Sequence, residues 1–163
     1  MPLPPPSLKG RALRLLSGRE YSRAELERKL KIHEQSPGLL AKALDELQDK
    51  GFISEQRVLE SLVHRRSAKL GAARIKQDLL AKGLAQGAVK EAVCNLQATE
   101  VERARVIWSR RFGASPSATS SLQKATAVER AKQMRFLAAR GFDAETIRRV
   151  VSGAGEDQEP ALD

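Results

Sequence analysis

The sequence predicts an all-helical protein assembled from tandem three-helix units. Three observations carry that expectation. Apolar residues recur at helical spacing, and strand-like alternation never lasts more than a few positions. Ala, Leu, Lys, Arg and Glu dominate, while the β-branched residues that favour strands are scarce. A six-residue pattern, apolar residues at both ends and a helix-start position between them, occurs three times, at 21–26, 70–75 and 142–147.

Residues 1–8 form a proline-rich lead with few backbone donors and little to bury, and are expected to be disordered. Leu13 and Leu16 share one face of a first helix over 9–17, which stops near Gly18. Ser22 and Glu25 then stand at capping-box spacing, with Tyr21 and Leu26 as the staple, and open a second helix from 23 to about 32. After Ser36-Pro37, Leu40, Leu44 and Leu47 mark a third helix, ended by Gly51, a residue suited to the left-handed position. Ser54 caps a fourth helix whose apolar arc is Val58, Leu59, Leu62 and Val63. Arg66 projects into that arc, either to cap the last carbonyls or to reach a partner.

The second copy, 70–75, opens a fifth helix with Leu79 one turn on. A sixth helix covers 87–97, and its apolar run Ala92, Val93, Cys94 and Leu96 makes Cys94 a buried small hydrophobe. The seventh, 99–112, places Val101, Ala104, Trp108 and Phe112 on one face. Residues 113–121 read as a flexible loop by composition. Ala127, Ala131, Met134 and Ala138 give the stripe of an eighth helix, with Phe136 off it, either packed on the ninth helix or exposed as a contact. The third copy, with Val151, opens that ninth helix, and 153–163 form an acidic, disordered tail. The expected units are 9–53, 54–98 and 99–152. The pattern's intervals, 49 and then 72 residues, mark a short array of diverged helix pairs, not a regular solenoid.

With 29 Lys and Arg against 20 Asp and Glu, the net charge is +9, which points to a polyanionic partner. The last ten residues alone sum to −4, so the remainder is more basic than the total. One cysteine excludes an internal disulfide and a thiolate zinc cluster. No apolar stretch approaches the roughly 18 residues of a membrane span, and no secretory h-region opens the chain, so a soluble cytoplasmic protein is expected. Catalytic motifs are missing too: there is no phosphate loop, H-E-x-x-H or G-x-S-x-G, and His33 and His64 fall in different units. The expectation is a non-enzyme without metal or cofactor.

The abundant chemistry is cationic. Between Arg65 and Lys76 the chain holds Arg65, Arg66, Lys69, Arg74 and Lys76 with no acid. Arg103, Arg105, Arg110 and Arg111 follow on the seventh helix, then Arg130, Lys132, Arg135, Arg140, Arg148 and Arg149. Any single one reads as a solvated cation, but their concentration favours phosphate contact. Six aromatics, mostly at staple or core positions, do not make a platform for stacked bases. The first unit is somewhat like a helix-turn-helix or winged-helix module, the alternative being a DNA-binding transcription regulator. Its third helix, however, carries Asp45, Glu46 and Asp49, which a phosphate-lined groove repels.

One set of residues resembles a known family. The run Arg57-Val58 to Leu62-Val63, Arg66, Leu70-Gly71, Ile75, Leu79 and Lys82-Gly83 is similar to the central signature of the RecX regulatory proteins, bacterial modulators of the RecA recombinase. Ser22 to Leu26 with Lys29-Leu30, Arg110-Arg111-Phe112, Arg135-Phe136-Leu137, Arg140-Gly141-Phe142 and Ile147 extend the likeness over roughly residues 9 to 151. Val58, Leu62 and Leu70 stand where that family often has rings, and Asp78 where Glu is usual, so no stacking is carried over to those positions.

The resemblance implies three tandem three-helix units in an elongated, curved array, right-handed or irregular. It also implies binding along the groove of the RecA filament on single-stranded DNA, suppressing ATP hydrolysis and strand exchange in DNA repair, recombination and the SOS response. The residues expected to make that contact are Arg65, Arg66, Lys69, Arg74, Lys76, Arg110, Arg111, Lys132, Arg135, Arg148 and Arg149. The partners are then the RecA filament, single-stranded DNA and, more weakly, duplex DNA, met by a monomer.

Overall fold

The structure is a computed structural model and describes residues 5–113 and 127–153. Residues 1–4 of the expected proline-rich lead, nearly all of the 113–121 loop and the acidic tail beyond Gly153 lie outside the described residues, while Leu8 already belongs to the first helix. Within them the chain forms nine α-helices, one 3-10 turn and no strand. These fall into two compact units, one of residues up to 62 with 78–89, the other of 63–77 with 90 onward.

In the first unit, α1 (Leu8–Leu16) begins where the Ser7 hydroxyl accepts from the Gly10 amide at 3.1 Å. The capping box at α2 (Arg23–Leu30) is complete: Ser22 Oγ accepts from Glu25 N, and the Glu25 carboxylate accepts from Ser22 N at 3.0 Å. α2 stops earlier than its apolar pattern suggests, tightening into a 3-10 turn, Lys31–His33. The next helix, α3 (Leu39–Asp49), begins beyond Gly38, because Glu34 Oε1 folds back to accept from the Gly38 and Leu40 amides at 3.0 and 3.1 Å. That carboxylate satisfies donors that a helix start leaves orphaned. α1, α2 and α3 pack on each other around Ala12, Leu26, Leu30, Leu40, Leu44, Leu47 and Ile53. Each buried Leu contributes about 1.5–3 kcal/mol of transfer free energy.

Ser54 starts α4 (Glu55–Arg66), with its Oγ accepting from Arg57 N, and Val58 and Leu62 are buried as the arc requires. α5 (Ala72–Ala81) buries Ile75 and Leu79, and α6 (Gln86–Ala98) buries Val89 and Leu96. Cys94 departs from expectation, for it is exposed. Its neighbours in sequence are apolar, but the buried line of α6 runs through positions 89 and 96, two turns apart, and Cys94 lies off it.

In the second unit, α7 (Glu100–Phe112), α8 (Ala127–Ala138) and α9 (Ala144–Gly153) pack pairwise. Their core is Ala104, Ile107, Leu137, Phe142, Ile147, Val150 and Val151. Two expected faces shift. On α7 the buried line is Glu100, Ala104 and Ile107, with Val101 and Trp108 at its margins. On α8 the alanine stripe is wrong: Leu137 is buried, while Ala127, Ala138 and Met134 are exposed. Alanine is common on a helix for its propensity, not for its burial, so an alanine row does not identify the inner face.

Candidate nucleic-acid interface

Cations and acids are divided unequally between the two units. By sequence, residues 63–77 with 90–153 hold 17 Lys and Arg against 6 Asp and Glu, whereas residues 1–62 with 78–89 hold 12 against 10. In the first unit many acids are engaged at close range. Lys9 meets Glu46, Arg23 meets both Asp45 and Glu27, Arg57 meets Glu20, and Glu25 takes Arg19 and Lys82. In the second, ten acids, four of them beyond residue 153, cannot neutralise seventeen cations one for one.

All eleven expected contact residues belong to the second unit, and all are exposed. Arg65 and Arg66 close α4, Lys69 stands in the following turn, and Arg74 and Lys76 lie on α5. Arg66, read from sequence as projecting into the apolar arc, is at the solvent surface, and its backbone carbonyl accepts from the Lys69 and Leu70 amides at 2.9 Å. Arg110 and Arg111 end α7, Lys132 and Arg135 are on α8, and Arg148 and Arg149 are on α9, with Arg148 paired to Glu145 at 2.8 Å. Two other cations from the basic runs turn inward instead. The Arg103 guanidinium donates to the carbonyls of Ser67, Leu70 and Leu96 at 3.0, 2.7 and 2.9 Å. Arg140 lies 3.7 Å from the centre of the Phe136 ring and donates to the Phe136 carbonyl.

Segment 63–77 meets the α8–α9 turn through its backbone. Gly71 N donates to the Arg140 carbonyl at 2.8 Å, and a Cβ on Gly71 would overlap the Gly141 carbonyl. Gly141 in turn has φ +81°, and a Cβ there would come within 2.7 Å of Arg74 N. Two glycines, one inside the second helix-start pattern and one just before the third, thus allow the close approach that places Arg74 beside the turn.

A carboxyl pair, Glu100 buried and Asp143 exposed, completes this arrangement, and no motif in the sequence points to it. In the three-fold pattern the cap position is Ser22, then Gly71, then Asp143. Gly71 has no side chain to offer, and Glu100 of α7 supplies the missing acceptor, its Oε1 taking the Ala72 amide at 2.8 Å. Asp143 caps α9 through Thr146 N and Thr146 Oγ1, both at 2.8 Å, and shares a hydrogen bond with Glu100. Burial pushes the Glu100 carboxyl above its ordinary pKa. For Asp143, burial acts the same way but is outweighed by the hydrogen bonds from Thr146 and Glu100, which hold it low. One carboxyl pair thus serves two helix N-termini, with Glu100 held above and Asp143 below the ordinary carboxyl range. Burial likewise lowers the pKa of Arg103.

The rings of this unit pack on each other. Phe136 meets Phe112 edge-on at 5.2 Å, and Phe112 meets Trp108 at 6.2 Å, while Trp108 Nε1 donates to Gln133. Phe136 is thus half-buried against α7, neither packed on α9 alone nor free. Among the described residues no three His, Cys, Asp or Glu gather as metal ligands, and no helix is long and apolar enough to cross a membrane.

Comparison with known proteins agrees with this architecture. A family model described as RecX, first three-helix domain, matches residues 9–52, and one described as RecX, third three-helix domain, matches 98–151. "Regulatory protein RecX" of Leptothrix cholodnii is 46% identical over 94% of this chain and 92% of its own length. The chain belongs to the RecX family. The protein of the same name from Ralstonia nicotianae is 44% identical, again over 94% of this chain and 92% of its own. Among solved structures, RecX from Lactobacillus salivarius superposes with a TM-score of 0.70 at 20% identity, covering 90% of this chain and 93% of that one. This likeness establishes the fold, an all-α tandem array of helical domains. The first RecX domain lies wholly in the first unit, and the third wholly in the second. The stretch between them is divided: 63–77 and 90–97 join the third domain's unit. That division is what gathers Arg65 to Lys76 into the same unit as the cations of α7, α8 and α9.

Proposed function

We propose that this chain regulates a RecA-type recombinase by binding its filament on single-stranded DNA, lowering ATP hydrolysis and strand exchange. The observation that carries this reading is the segregation of charge: seventeen cations against ten acids in one unit, four of those acids lying beyond residue 153, with all eleven expected contacts exposed on it. Several cations on one folded unit can displace phosphate counterions together, which a scattered set cannot. Membership of a family of regulatory proteins supports the same reading. In this account the chain acts as a monomer without cofactor, its three helical units are 9–53, 54–98 and 99–152, and duplex DNA is a weaker partner than the single strand. The helix-turn-helix alternative loses ground at α3, whose acids Asp45 and Glu46 are tied to Arg23 and Lys9 and face outward.

A titration of the DNA-dependent ATPase of RecA tests the proposal. The parent chain should inhibit at well below one modulator per recombinase. Joint reversal of Arg65, Arg66 and Lys69 to Glu should raise the half-inhibitory concentration at least about tenfold, since loss of three phosphate contacts also flattens the salt slope by about 0.7 each. Saturating parent chain that leaves both ATPase and strand exchange unchanged refutes it.

A further inference from the structure

The first unit carries a cavity of its own, apart from the cations of the second unit. It has a volume of about 320 Å³ and lies between α1 and the end of α2. Its apolar surface comes from Pro6, Leu15 and Leu30. Its polar surface comes from Arg11 and Arg14 on α1 and from Lys29 and His33 across from them, with no Asp or Glu in the lining. That is unusual for this unit, where cations and acids are nearly balanced and closely paired elsewhere. The wall is also held in place. Ser7 caps α1, and Arg11 Nε donates to the Pro6 carbonyl at 3.1 Å, fastening Pro6 over the first turn. A second groove continues from the first, sharing Pro6, Arg11 and His33, and exposes Ile32 and Leu39, at 83% and 47% of their full surface. The acids that line this second groove, Glu34 and Glu46, are taken by Lys31 and Lys9.

We infer that this cavity is a docking site for an acidic segment of a partner protein that carries aliphatic side chains. Four cationic or titratable groups without an acid select a polyanion. The floor decides which polyanion. His33 is the one aromatic ring in the lining, too little for successive bases to stack on, so a nucleic acid gains mainly its phosphate contacts there. An aliphatic side chain gains those of its neighbouring carboxylates and buries its own methylenes as well. Exposed Ile32 and Leu39 extend the aliphatic track for a following residue. The site is separate from the eleven cations of the second unit, and the inference does not depend on what those bind.

The test is fluorescence anisotropy of a labelled synthetic peptide of alternating Asp, Glu and Leu, titrated with the full chain. Saturable binding is expected. The double variant Arg14→Glu, Lys29→Glu should weaken it by about tenfold or more, and a peptide with Ser in place of each Leu should bind several-fold more weakly. Arg14 and Lys29 are both exposed, and an unchanged circular dichroism spectrum confirms that the variant folds. Reversal of Arg110 and Arg111 should leave peptide affinity unaltered. Equal loss from both pairs of reversals overturns the inference, since binding is then only general charge. Displacement of the peptide by oligothymidylate that R14E/K29E abolishes overturns it too, by making the site one for nucleic acid.

Discussion

Gly71→Ala probes the joint that places segment 63–77. The backbone of Gly71 needs no left-handed conformation, so the obstacle is not local strain but the neighbouring chain: the new Cβ would overlap the Gly141 carbonyl. Backbone cannot swing aside as a side chain end does. Either segment 63–77 or the α8–α9 turn must move, and the Gly71 N to Arg140 O hydrogen bond, 2.8 Å in the parent, is lost or lengthened. A buried hydrogen bond contributes about 0.5–1.5 kcal/mol, and overpacking costs about 1–3 kcal/mol, so a destabilisation of about 2–4 kcal/mol is expected. The functional consequence follows from position. Five of the eleven cations lie between 65 and 76, and displacing their backbone should weaken ATPase inhibition even though no charge is removed. Urea unfolding of G71A and G87A side by side gives the measurement. Gly87 has open space around the corresponding Cβ and sits in α6, so its alanine variant should be neutral or gain up to about 1 kcal/mol. If G71A unfolds at the midpoint of G87A and inhibits equally well, the close-approach reasoning is wrong.

Glu25 gives a prediction about acid. Burial tends to raise its pKa, but hydrogen bonds from Lys82, the Ser22 amide and Arg19 bring it down to about 2 from 4.5. A depressed carboxyl stabilises the fold above its unfolded pKa, and that contribution disappears as pH falls from about 4.5 toward 2. Glu25→Gln should therefore cost about 2–3 kcal/mol at pH 7 and almost nothing near pH 2, and a pH-independent gap in denaturant midpoints would contradict it. Glu100 behaves in the opposite sense. Its pKa is raised, so its stabilising share is complete below the unfolded value and declines as pH rises through the folded one. Glu100→Gln, which keeps an acceptor for Ala72 N, should equal or exceed the parent in stability at neutral pH, whereas Glu100→Ala should lose about 1–3 kcal/mol; equal losses in thermal melts would rule out a Glu100 pKa raised by burial. Finally, exposed Cys94 should react with a maleimide in the native protein at nearly the rate of a free thiol, and modification only in denaturant would place it inside.

Much of the fold was legible because helix signals are local. Ser22 and Glu25, Gly51 after α3, and Leu40, Leu44 and Leu47 act through spacings of three or four residues, and each forms the cap, turn or buried line that its spacing predicts. The local reading failed where a residue's environment is set by a distant segment. Ala127 and Ala138 face solvent because packing against α7 and α9 selects Leu137, and no spacing within α8 contains that choice. Cys94 was misplaced for the same reason.

For the candidate interface the division is similar. All eleven cations could be named from the excess of Lys and Arg over nearby acids, because charge is a property of composition and long side chains at helix surfaces reach solvent by default. Their membership of one unit could not be read, since 63–77 sits between stretches that belong to the other. The carboxyl pair was equally hidden. Glu100 looks like any acid in the first turn of a helix until Gly71, lacking a side chain, leaves the Ala72 amide to find its acceptor across the fold. The sequence by itself determined which segments are helical and how the charge is distributed along them, because both depend on neighbours within a turn. That Arg103 turns inward onto Ser67 and Leu70, that Glu100 accepts from the Ala72 amide and that Gly71 meets Gly141 were decided only by the tertiary structure, since each depends on a group 28 or more residues away.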